Sequence, residues 1–258
     1  MQALLDIITR AGQLMLSYQQ PRVYAKGAHA DFVTEADLAV QAFLLEELSK
    51  AFPGAKFFAE EKDDNRLSDD LTFIIDPIDG TTNFFRHRSM SVISVGAVEG
   101  GKPVFGAICD PYRGELYHAV RGGGAYCNDQ RLKVSDVPFD NAIVGLGSTP
   151  YHTDLAAING RTFAELMVQC ADVRRTGSAA MELCDVACGR SEACFEWVLQ
   201  PWDYCAGTLL VEEAGGRCGN ILGGDVTYER GIPHMAANAR CFDQLQALLQ
   251  RIHRDLNT

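Results

Sequence analysis

A run of apolar residues in this chain ends in two closely spaced aspartates. The segment FIIDPIDGTTNF, residues 73–84, begins like a buried strand and then places Asp76 and Asp79 on either side of Pro77. An ionised carboxylate at the end of a buried strand is costly unless a positive group lies beside it. A strand of the core must therefore end at a site that accommodates two acids.

Two interpretations of this segment are open from its residues alone. Asp79 could cap a helix that begins at Gly80 while Asp76 pairs with an arginine, since capping is the commonest role of aspartate before a helix. Alternatively, the intervening proline turns both carboxylates to one point, and the glycine allows a close backbone approach. Thr81 and Thr82 would then offer hydroxyls and backbone amides to an anion at a helix start. This second arrangement predicts hard oxygen ligands for Mg²⁺ beside a phosphate site.

Three further segments carry acids in unusual surroundings. They are DFVTEAD (31–37), FFAEEKDD (57–64) and QPWDYCAG (200–207). Taken singly, each has an ordinary explanation. Thr34 with Asp37 fits a capping box, and Asp203 fits a helix cap. Glu60 and Glu61 fit a solvated acidic turn, although the two phenylalanines before them indicate the end of a strand. Composition does not show that these segments meet.

Hydrophobic spacing divides the chain into helices and strands. The predicted helices span residues 1–20, 35–51, 154–168, 178–188, 203–215 and 242–252. The predicted strands are LTFII, SVISVGAV, PVFGAIC and GELYHAV in the first half, then AIVGLGS, ADVRRT, ACFEWV and HMAAN. We therefore expect an α+β protein of two closely packed α/β lobes in one compact unit, with residues 1–138 in the N-terminal lobe and residues 139–258 in the C-terminal lobe.

Composition limits the classes of function. With 258 residues, 47% of them hydrophobic, the chain is expected to form one body or two closely packed lobes. A formal net charge of −11 argues against nucleic-acid binding, because that affinity comes from clustered Lys and Arg. Polar residues interrupt the N-terminal apolar run, so we expect no signal peptide, no membrane association and a cytoplasmic protein. The nine cysteines lack CxxC spacing and are expected to be reduced, buried thiols.

The four acidic segments, in this order and at these separations, resemble the inositol monophosphatase family of metal-dependent sugar phosphatases. The motifs DPIDGTTNF and WDYCAG carry the most specific part of the resemblance. It covers nearly the whole chain, including ICDPYRGELYHAVRGGGAYCN and RRTGSAAMELCDVACGR. The resemblance implies a layered αβαβα sandwich of the sugar phosphatase type. One departure is Ala59, where the family often has glycine; a second is RHRSMS (86–91), where many members have a proline.

The resemblance also implies a metal site. Glu60, Asp76 and the Ile78 carbonyl match the positions that bind a first, activating ion, and Asp76, Asp79 and Asp203 match those that bind a second. Asp76 would then bridge the two ions. Two or three Mg²⁺ ions are expected. The site of acids and hydroxyls that would bind them includes no evident nucleophile.

Further residues are implied to activate water and to hold the phosphate. Thr81 and Asp37 match the pair that orients the attacking water, and with Glu60 they form the expected catalytic set. Gly80 and Thr81 match backbone contacts to the phosphate. Lys26 falls where the family has a lysine on a mobile loop over the metals. The expected reaction is direct attack of water on a phosphate monoester, which needs positioning and charge neutralisation more than covalent chemistry.

The other half of the substrate is implied to be a polyol or sugar. Glu196 matches the family carboxylate that accepts hydrogen bonds from ring hydroxyls. Ser148 matches a hydroxyl near the sugar, and residues 177–179 match a loop that touches the substrate through its backbone. The full set expected to contact substrate is Asp79, Gly80, Thr81, Ser148, Gly177, Ser178, Ala179, Glu196 and Asp203.

Several functions stay open at this stage. The first is hydrolysis of myo-inositol monophosphate; relatives of the family act as fructose-1,6-bisphosphatase, histidinol phosphatase or nucleotide 3′-phosphatase. Arg174 and Arg175 could meet a second phosphate, or could pair with acids such as Asp172 or Glu196. Paired carboxylates also support glycoside hydrolysis, which would proceed in EDTA. A non-enzymatic, cation-binding regulatory protein is the remaining class. The resemblance further implies a homodimer and inhibition by Li⁺.

Overall fold

The computed structural model describes residues 1–257, which form seven α-helices and three sheets within that range. The helices are α1 (Gln2–Ser17), α2 (Glu35–Ala51), α3 (Thr81–Phe85), α4 (Ala156–Leu166), α5 (Ala179–Ala187), α6 (Pro201–Glu213) and α7 (Phe242–Asn257). The strands are β1 (Val23–Ala25), β2 (Phe32–Thr34), β3 (Lys56–Ala59), β4 (Thr72–Asp79), β5 (Val92–Glu99), β6 (Lys102–Asp110), β7 (Glu115–Val120), β8 (Gly124–Cys127), β9 (Gln130–Arg131), β10 (Ile143–Leu146), β11 (Asp172–Arg174), β12 (Ala193–Leu199), β13 (Arg217–Asn220) and β14 (Ile232–Ala237).

All six predicted helices form, and all except α2 have ends that differ from the predicted ones. α2 has the predicted bounds, because Thr34 and Asp37 form a reciprocal capping box at its start. α1 ends at Ser17, earlier than predicted. α6 begins at Pro201, two residues earlier than predicted. Proline is favourable in the first turn, because an N–H at that position would have no partner within the helix. α7 continues beyond residue 252 to Asn257.

Several short strands were not predicted from the sequence. β1, β2, β8, β9 and β13 are two to four residues long and show no extended apolar run. Each is defined by its pairing with a neighbour: β1 pairs with β2, β8 with β7 and β9, and β13 with β14. The strand signal at such edges lies in the partner strand, so the local residues alone do not indicate it.

A seven-stranded sheet forms the first half of the chain, in the order β3-β4-β5-β6-β7-β8-β9. β3 and β4 run parallel, and the remaining neighbours are antiparallel. All eight residues of β4 are buried, as expected for an interior strand of a sheet that is covered on both faces. Since β3 and β4 are parallel, the residues that follow both strands emerge at the same edge.

A five-stranded sheet forms the second half, in the order β11-β10-β12-β14-β13. β10 runs parallel to both β11 and β12, whereas β14 is antiparallel to β12 and β13. β10 ends at Leu146, which pairs with Phe195 in the middle of β12. The loop after Leu146 therefore lies beside Glu196, the next residue of β12.

The helices and sheets stack in five layers. α1 and α2 pack on one face of the seven-stranded sheet through a cluster that includes Ile8, Leu44 and Ile75. α5 and α6 lie between the two sheets and share a core with both. α4 and α7 cover the outer face of the five-stranded sheet. The molecule is thus the α+β, αβαβα sandwich that the resemblance implied.

The division into lobes at residue 138 stays a proposal. It is supported by the strand assignments, because the seven-stranded sheet ends at Arg131 and the five-stranded sheet begins at Ile143. The helices between the sheets belong to the second half of the chain but pack on both, so the interface is extensive. None of the helices in residues 1–257 combines the length and apolar character that crossing a bilayer requires.

Candidate metal centre

The end of β4 brings Asp76 and Asp79 to one side of the sheet. Residues three apart in a regular strand point to opposite faces. Here the pairing with β5 shifts register between the two aspartates, and the Ile78 N–H donates to Asp76 Oδ1 at 3.0 Å. Both side chains are buried, with exposures of 2% and 8%. The irregular strand end explains how two acids in the middle of a core sequence face a common site.

Asp203 reaches the same site from the first turn of α6. Its Oδ2 accepts a hydrogen bond from the Gln200 N–H at 2.7 Å, so it caps the helix as its sequence position indicated. One oxygen from each of Asp76, Asp79 and Asp203 lies within 4.8 Å of the others. A bond from Ser94 Oγ to the Trp202 carbonyl, 3.2 Å long, ties this turn to β5. The cap and the acidic cluster are therefore one arrangement.

Glu60 lies beside this cluster, immediately after β3. Its N–H donates to the Ile75 carbonyl at 3.1 Å, which extends the pairing of β3 with β4. Its Oε1 accepts from Lys26 Nζ at 2.8 Å, and the same ammonium contacts Glu61. Lys26 thus places its charge over the carboxylates at this edge. The loop position implied for Lys26 by the resemblance agrees with this contact.

No cation among the described residues forms an ion pair with the other acids of the cluster, Asp76, Asp79 and Asp203. Asp76, Asp79 and Asp203 accept hydrogen bonds from neutral donors, the Ile78 and Gln200 amides together with Ser178 Oγ and the Ala180 N–H. Burial, followed by the charges of neighbouring carboxylates, raises the pKa of Asp76 well above its usual value. Burial and then Asp79 do the same to the pKa of Asp203. Burial raises the pKa of Asp79 to about 6.

This donor set fits divalent metal ions. The carboxylates of the buried Asp76 and Asp79 and of the partly buried Asp203 converge on one point, that of Glu60 lies in the same cavity, and each is disfavoured in its ionised form without a cation. Mg²⁺ and Ca²⁺ prefer such hard oxygen ligands. Within residues 1–257, no arginine pairs with Asp76, as an ordinary helix cap would have required.

Asp37 and Thr81 meet at the edge of the cluster. Thr81 Oγ1 lies 3.1 Å from Asp37 Oδ1 and 3.1 Å from the Ile78 carbonyl oxygen. The other Asp37 oxygen accepts from the Thr34 N–H at 2.9 Å, within the capping box of α2. Burial raises the pKa of Asp37 to about 6. Asp37 thus caps α2 and also contacts Thr81, and its role in orienting water stays a prediction.

Gly80 connects the two halves of the site. Its φ of +88° is in the left-handed region, which favours glycine. A Cβ here would lie 3.0 Å from the Met90 carbonyl oxygen and 3.2 Å from that of Gly177, so the backbones of three segments approach closely. Asn83 Nδ2 joins the same segments by donating to the Thr176 carbonyl at 2.9 Å. The sequence alone assigned no role to Asn83.

The cavity continues from the acids to the end of the five-stranded sheet. It has a volume of about 370 Å³. Its walls include all the residues expected to contact substrate: Asp79, Gly80, Thr81, Ser148, Gly177, Ser178, Ala179, Glu196 and Asp203. Asp37 and Lys26 contact these walls through Thr81 and Glu60. The cavity therefore has an acidic end and an end formed by hydroxyl, backbone and Glu196 groups.

The structure separates the two arginines. Arg174 pairs with Asp172, with an N–O distance of 2.5 Å, and is not among the residues that line the cavity. Arg175 lines the cavity, where its Nε donates to Ser148 Oγ at 2.9 Å. Sequence reasoning missed Tyr151 and Glu182, which also line the cavity. Tertiary packing brings the buried Glu182 and the exposed Tyr151 to the cavity, so only the closeness of Tyr151 to Ser148 along the chain was a signal.

Comparisons with known proteins agree with this geometry. A sequence profile of the inositol monophosphatase family matches residues 2–255. This chain belongs to that family. It is 37% identical to Nus factor SuhB from Escherichia coli, over 94% of this chain and 95% of that protein. It is 35% identical to inositol monophosphatase 2 from Saccharomyces cerevisiae, over 91% of this chain and 80% of that protein. The crystal structure of extragenic suppressor protein suhB from Bartonella henselae superposes with a TM-score of 0.90 at 32% identity, covering 97% and 98% of the two chains.

Membership in the inositol monophosphatase family supports phosphatase activity that depends on metal ions. The acidic cluster of Asp76, Asp79 and Asp203 fits such ions. Family membership also makes a small phosphorylated compound the expected class of substrate. The glycosidase alternative loses its support, since the chain belongs to the inositol monophosphatase family.

Proposed function

We propose that this protein hydrolyses a phosphate monoester with Mg²⁺, and that the substrate is myo-inositol monophosphate, which yields inositol and phosphate. The observation that carries the proposal is the convergence of three carboxylates, two buried and one partly buried, at one end of a cavity whose other end presents Glu196. The yeast relative's name supports the substrate. The name Nus factor, carried by bacterial relatives, does not identify one, so the substrate is the part that experiment must decide.

Two or three Mg²⁺ ions are proposed. Glu60, Asp76 and the Ile78 carbonyl would hold one, and Asp76, Asp79 and Asp203 would hold another. Bound metal lowers the pKa of water and neutralises charge on the phosphate and on the leaving oxygen. The chain supplies the oxygen ligands in a largely buried setting, where Lys26 is the counter-charge of Glu60 and the described residues offer Asp76, Asp79 and Asp203 no ion pair. Neutral donors keep Asp79 and Asp203 in fixed orientations.

Thr81 and Asp37 are proposed to orient the attacking water. Thr81 Oγ1 can donate to Asp37 Oδ1 and accept a hydrogen bond from water through its lone pairs. The capping box holds Asp37 at its other oxygen, so the pair is rigid before substrate arrives. Glu60 on the opposite wall completes the catalytic set. Water would attack in line with the leaving alcohol, and the backbone amides of Gly80 and Thr81 would hold the phosphate.

Substrate recognition is proposed to lie at the far end of the cavity. Glu196 would accept a hydrogen bond from a ring hydroxyl, while Ser148 and the backbone of residues 177–179 contact the polyol. Ser178 links both ends, because its Oγ donates to Asp79 Oδ2 at 2.8 Å. A polyol phosphate therefore fits the length and polarity of the cavity.

A bisphosphate is a second candidate, supported by Arg175. Arg175 is the single basic residue among the described residues that line the cavity, and seven acidic residues line the cavity with it. Its guanidinium could bind a second phosphate, as the fructose-1,6-bisphosphatase alternative requires. Histidinol phosphate and nucleotide 3′-phosphates belong in the same comparison.

A phosphate-release panel with these esters tests the proposal. We expect the highest kcat/KM for myo-inositol 1-phosphate, loss of activity in EDTA and recovery with Mg²⁺. Asp76→Asn should abolish turnover and weaken Mg²⁺ binding in calorimetry, whereas the exposed Asp225→Asn should change neither. Retained turnover of Asp76→Asn at saturating Mg²⁺ would refute the metal assignment. Tight Mg²⁺ binding without hydrolysis of any ester would favour the regulatory, cation-binding alternative.

Inhibition by Li⁺, a homodimeric state and a cytoplasmic location are proposed from family resemblance. Li⁺ can be titrated in the same panel, and sedimentation gives the oligomeric state.

A further inference from the structure

Thr149 adopts a backbone conformation that threonine rarely takes. Its φ is +40°, in the left-handed region, and it is 1% exposed. Positive φ is unfavourable for a β-branched residue and persists only where the surrounding structure enforces it. Such outliers cluster at functional sites, so the contacts that hold Thr149 are informative.

Those contacts end on Glu196. The Thr149 N–H and its Oγ1 both donate to Glu196 Oε1, each at 2.7 Å. Among the described residues, these are the hydrogen bonds that the Glu196 side chain accepts. Its second oxygen, Oε2, is the one left for a hydroxyl in the cavity that Glu196 lines. Thr149 thus supplies both donors to Glu196 Oε1 and leaves Oε2 to accept a hydrogen bond from another group.

The loop around Thr149 is fixed on both sides. The Gly147 N–H donates to the Phe195 carbonyl at 2.9 Å, and a Cβ on Gly147 would lie 2.1 Å from Glu196 Oε2. The Ser148 carbonyl accepts from Asn159 Nδ2 at 2.9 Å. The loop therefore packs directly on the Glu196 side chain and cannot shift without moving it.

We propose that Thr149 is a positioning residue that fixes Glu196, so that Oε2 meets a hydroxyl of the substrate's alcohol. The two donors also favour the ionised carboxylate, which is the better hydrogen-bond acceptor. Burial acts in the opposite direction and raises the pKa of Glu196, so the donors from Thr149 counter the cost of burying its charge. Thr149 thereby sets the preference for polyol phosphates over esters of simple alcohols. This inference rests on the proposed function, in which Glu196 contacts the polyol.

Three variants separate the hydroxyl from the shape of the side chain. Thr149→Val keeps the branched shape and removes one donor to Oε1, and Thr149→Ser keeps the hydroxyl. Thr153→Val is the matched control, because Thr153 is exposed on the neighbouring turn. The substrates are myo-inositol 1-phosphate and phenyl phosphate, whose leaving alcohol carries no second hydroxyl.

We expect Thr149→Val to lower the ratio of kcat/KM for the two substrates about tenfold, mainly through a higher KM for inositol phosphate, since one hydrogen bond to a charged group is lost. Thr149→Ser should restore the ratio, and Thr153→Val should not change it. Equal losses on both substrates, or no change in the ratio, would show that Thr149 is merely structural. Melting temperatures identify a variant that fails to fold, and the serine variant then decides the matter: a lost ratio in a folded Thr149→Ser protein overturns the inference.

The wild-type protein distinguishes this inference from its basis. If it shows no preference for inositol phosphate over phenyl phosphate, the proposed substrate is wrong and the role of Thr149 fails with it. If the wild type has the preference and Thr149→Val retains it, only the role of Thr149 is refuted.

Discussion

Replacing Glu182 by glutamine should stabilise the protein at neutral pH and change its stability little in acid. Glu182 lies on α5, is 6% exposed and forms part of the cavity wall. Burial raises the pKa of its carboxyl to about 8, although the Thr176 N–H and hydroxyl both donate to Oε1, at 3.0 and 2.9 Å. Glutamine can accept both bonds through its own Oε1, so the substitution removes the ionisation and keeps the contacts.

The sign and size of the effect follow from proton binding. The unfolded chain releases the Glu182 proton near the ordinary pKa of 4.5, whereas the folded chain holds it until about pH 8. The folded state therefore binds more protons in this window, and wild-type stability falls as pH rises through it. With about 1.4 kcal/mol per pKa unit, the fall between about pH 5 and pH 7.5 is on the order of 3 kcal/mol. Glutamine carries no such dependence.

Urea unfolding in EDTA, followed by tryptophan fluorescence at pH 5 and pH 7.5, measures this difference. The free energy of unfolding of Glu182→Gln should exceed that of the wild type by on the order of 3 kcal/mol more at pH 7.5 than at pH 5. The exposed Glu229→Gln should follow the wild type at both values. Other buried acids titrate in both proteins, so their contributions cancel. A pH-independent gain, or a loss at pH 7.5, would refute the assignment of a protonated, buried Glu182.

Three further predictions concern the metal end and the loops around it. In EDTA, the wild-type melting temperature should fall as pH rises from about 4 to about 6, because burial raises the pKa of Asp79 to about 6 and the folded state keeps the Asp79 proton longer than the unfolded chain does. Saturating Mg²⁺ should make this fall shallower. A fall that is equally steep with Mg²⁺ would contradict the prediction. Lys26→Met should tighten Mg²⁺ binding in calorimetry, since Lys26 Nζ lies 2.8 Å from Glu60 Oε1 and competes with the metal ion for that carboxylate. Weaker Mg²⁺ binding would mean instead that the ammonium supports the site. Asn83→Ala should cost about 1–3 kcal/mol in urea unfolding, because it removes the buried Asn83 side chain that donates to the partly buried Thr176 carbonyl. An unchanged midpoint would rule this out.

The sequence predicted those parts of the fold whose causes are local. α2 begins and ends where its capping box and the Pro53-Gly54 pair place it. The long strands β4 to β7 follow from continuous apolar runs bounded by turn residues. The short edge strands could not be predicted, because backbone pairing with a neighbour defines them. The register shift in β4 was also hidden, although the proline between its aspartates indicated an irregularity.

The unpredicted parts of the site are side chains whose role depends on burial. Glu182 lies in a helix with an ordinary amphipathic pattern, and only the packing of α5 between two sheets buries it. Thr149 reads as part of a polar turn in GSTPYH. Its positive φ and its two bonds to Glu196 arise where β10 ends opposite the middle of β12, which brings the loop after Leu146 against Glu196. Neither environment is encoded by neighbours along the chain.

Asp37 and Asp203 explain why local physics could not decide between a helix cap and a metal site. Each uses one oxygen to accept a backbone N–H at a helix start, from Thr34 or from Gln200. A carboxylate has two oxygens, so capping leaves the second one free and also fixes its direction. For Asp203 the cap aims the carboxylate at Asp76 and Asp79, and for Asp37 it aims the second oxygen at Thr81. The cap is thus the device that orients the site acid, and the two interpretations weighed as alternatives from the sequence are two halves of one arrangement.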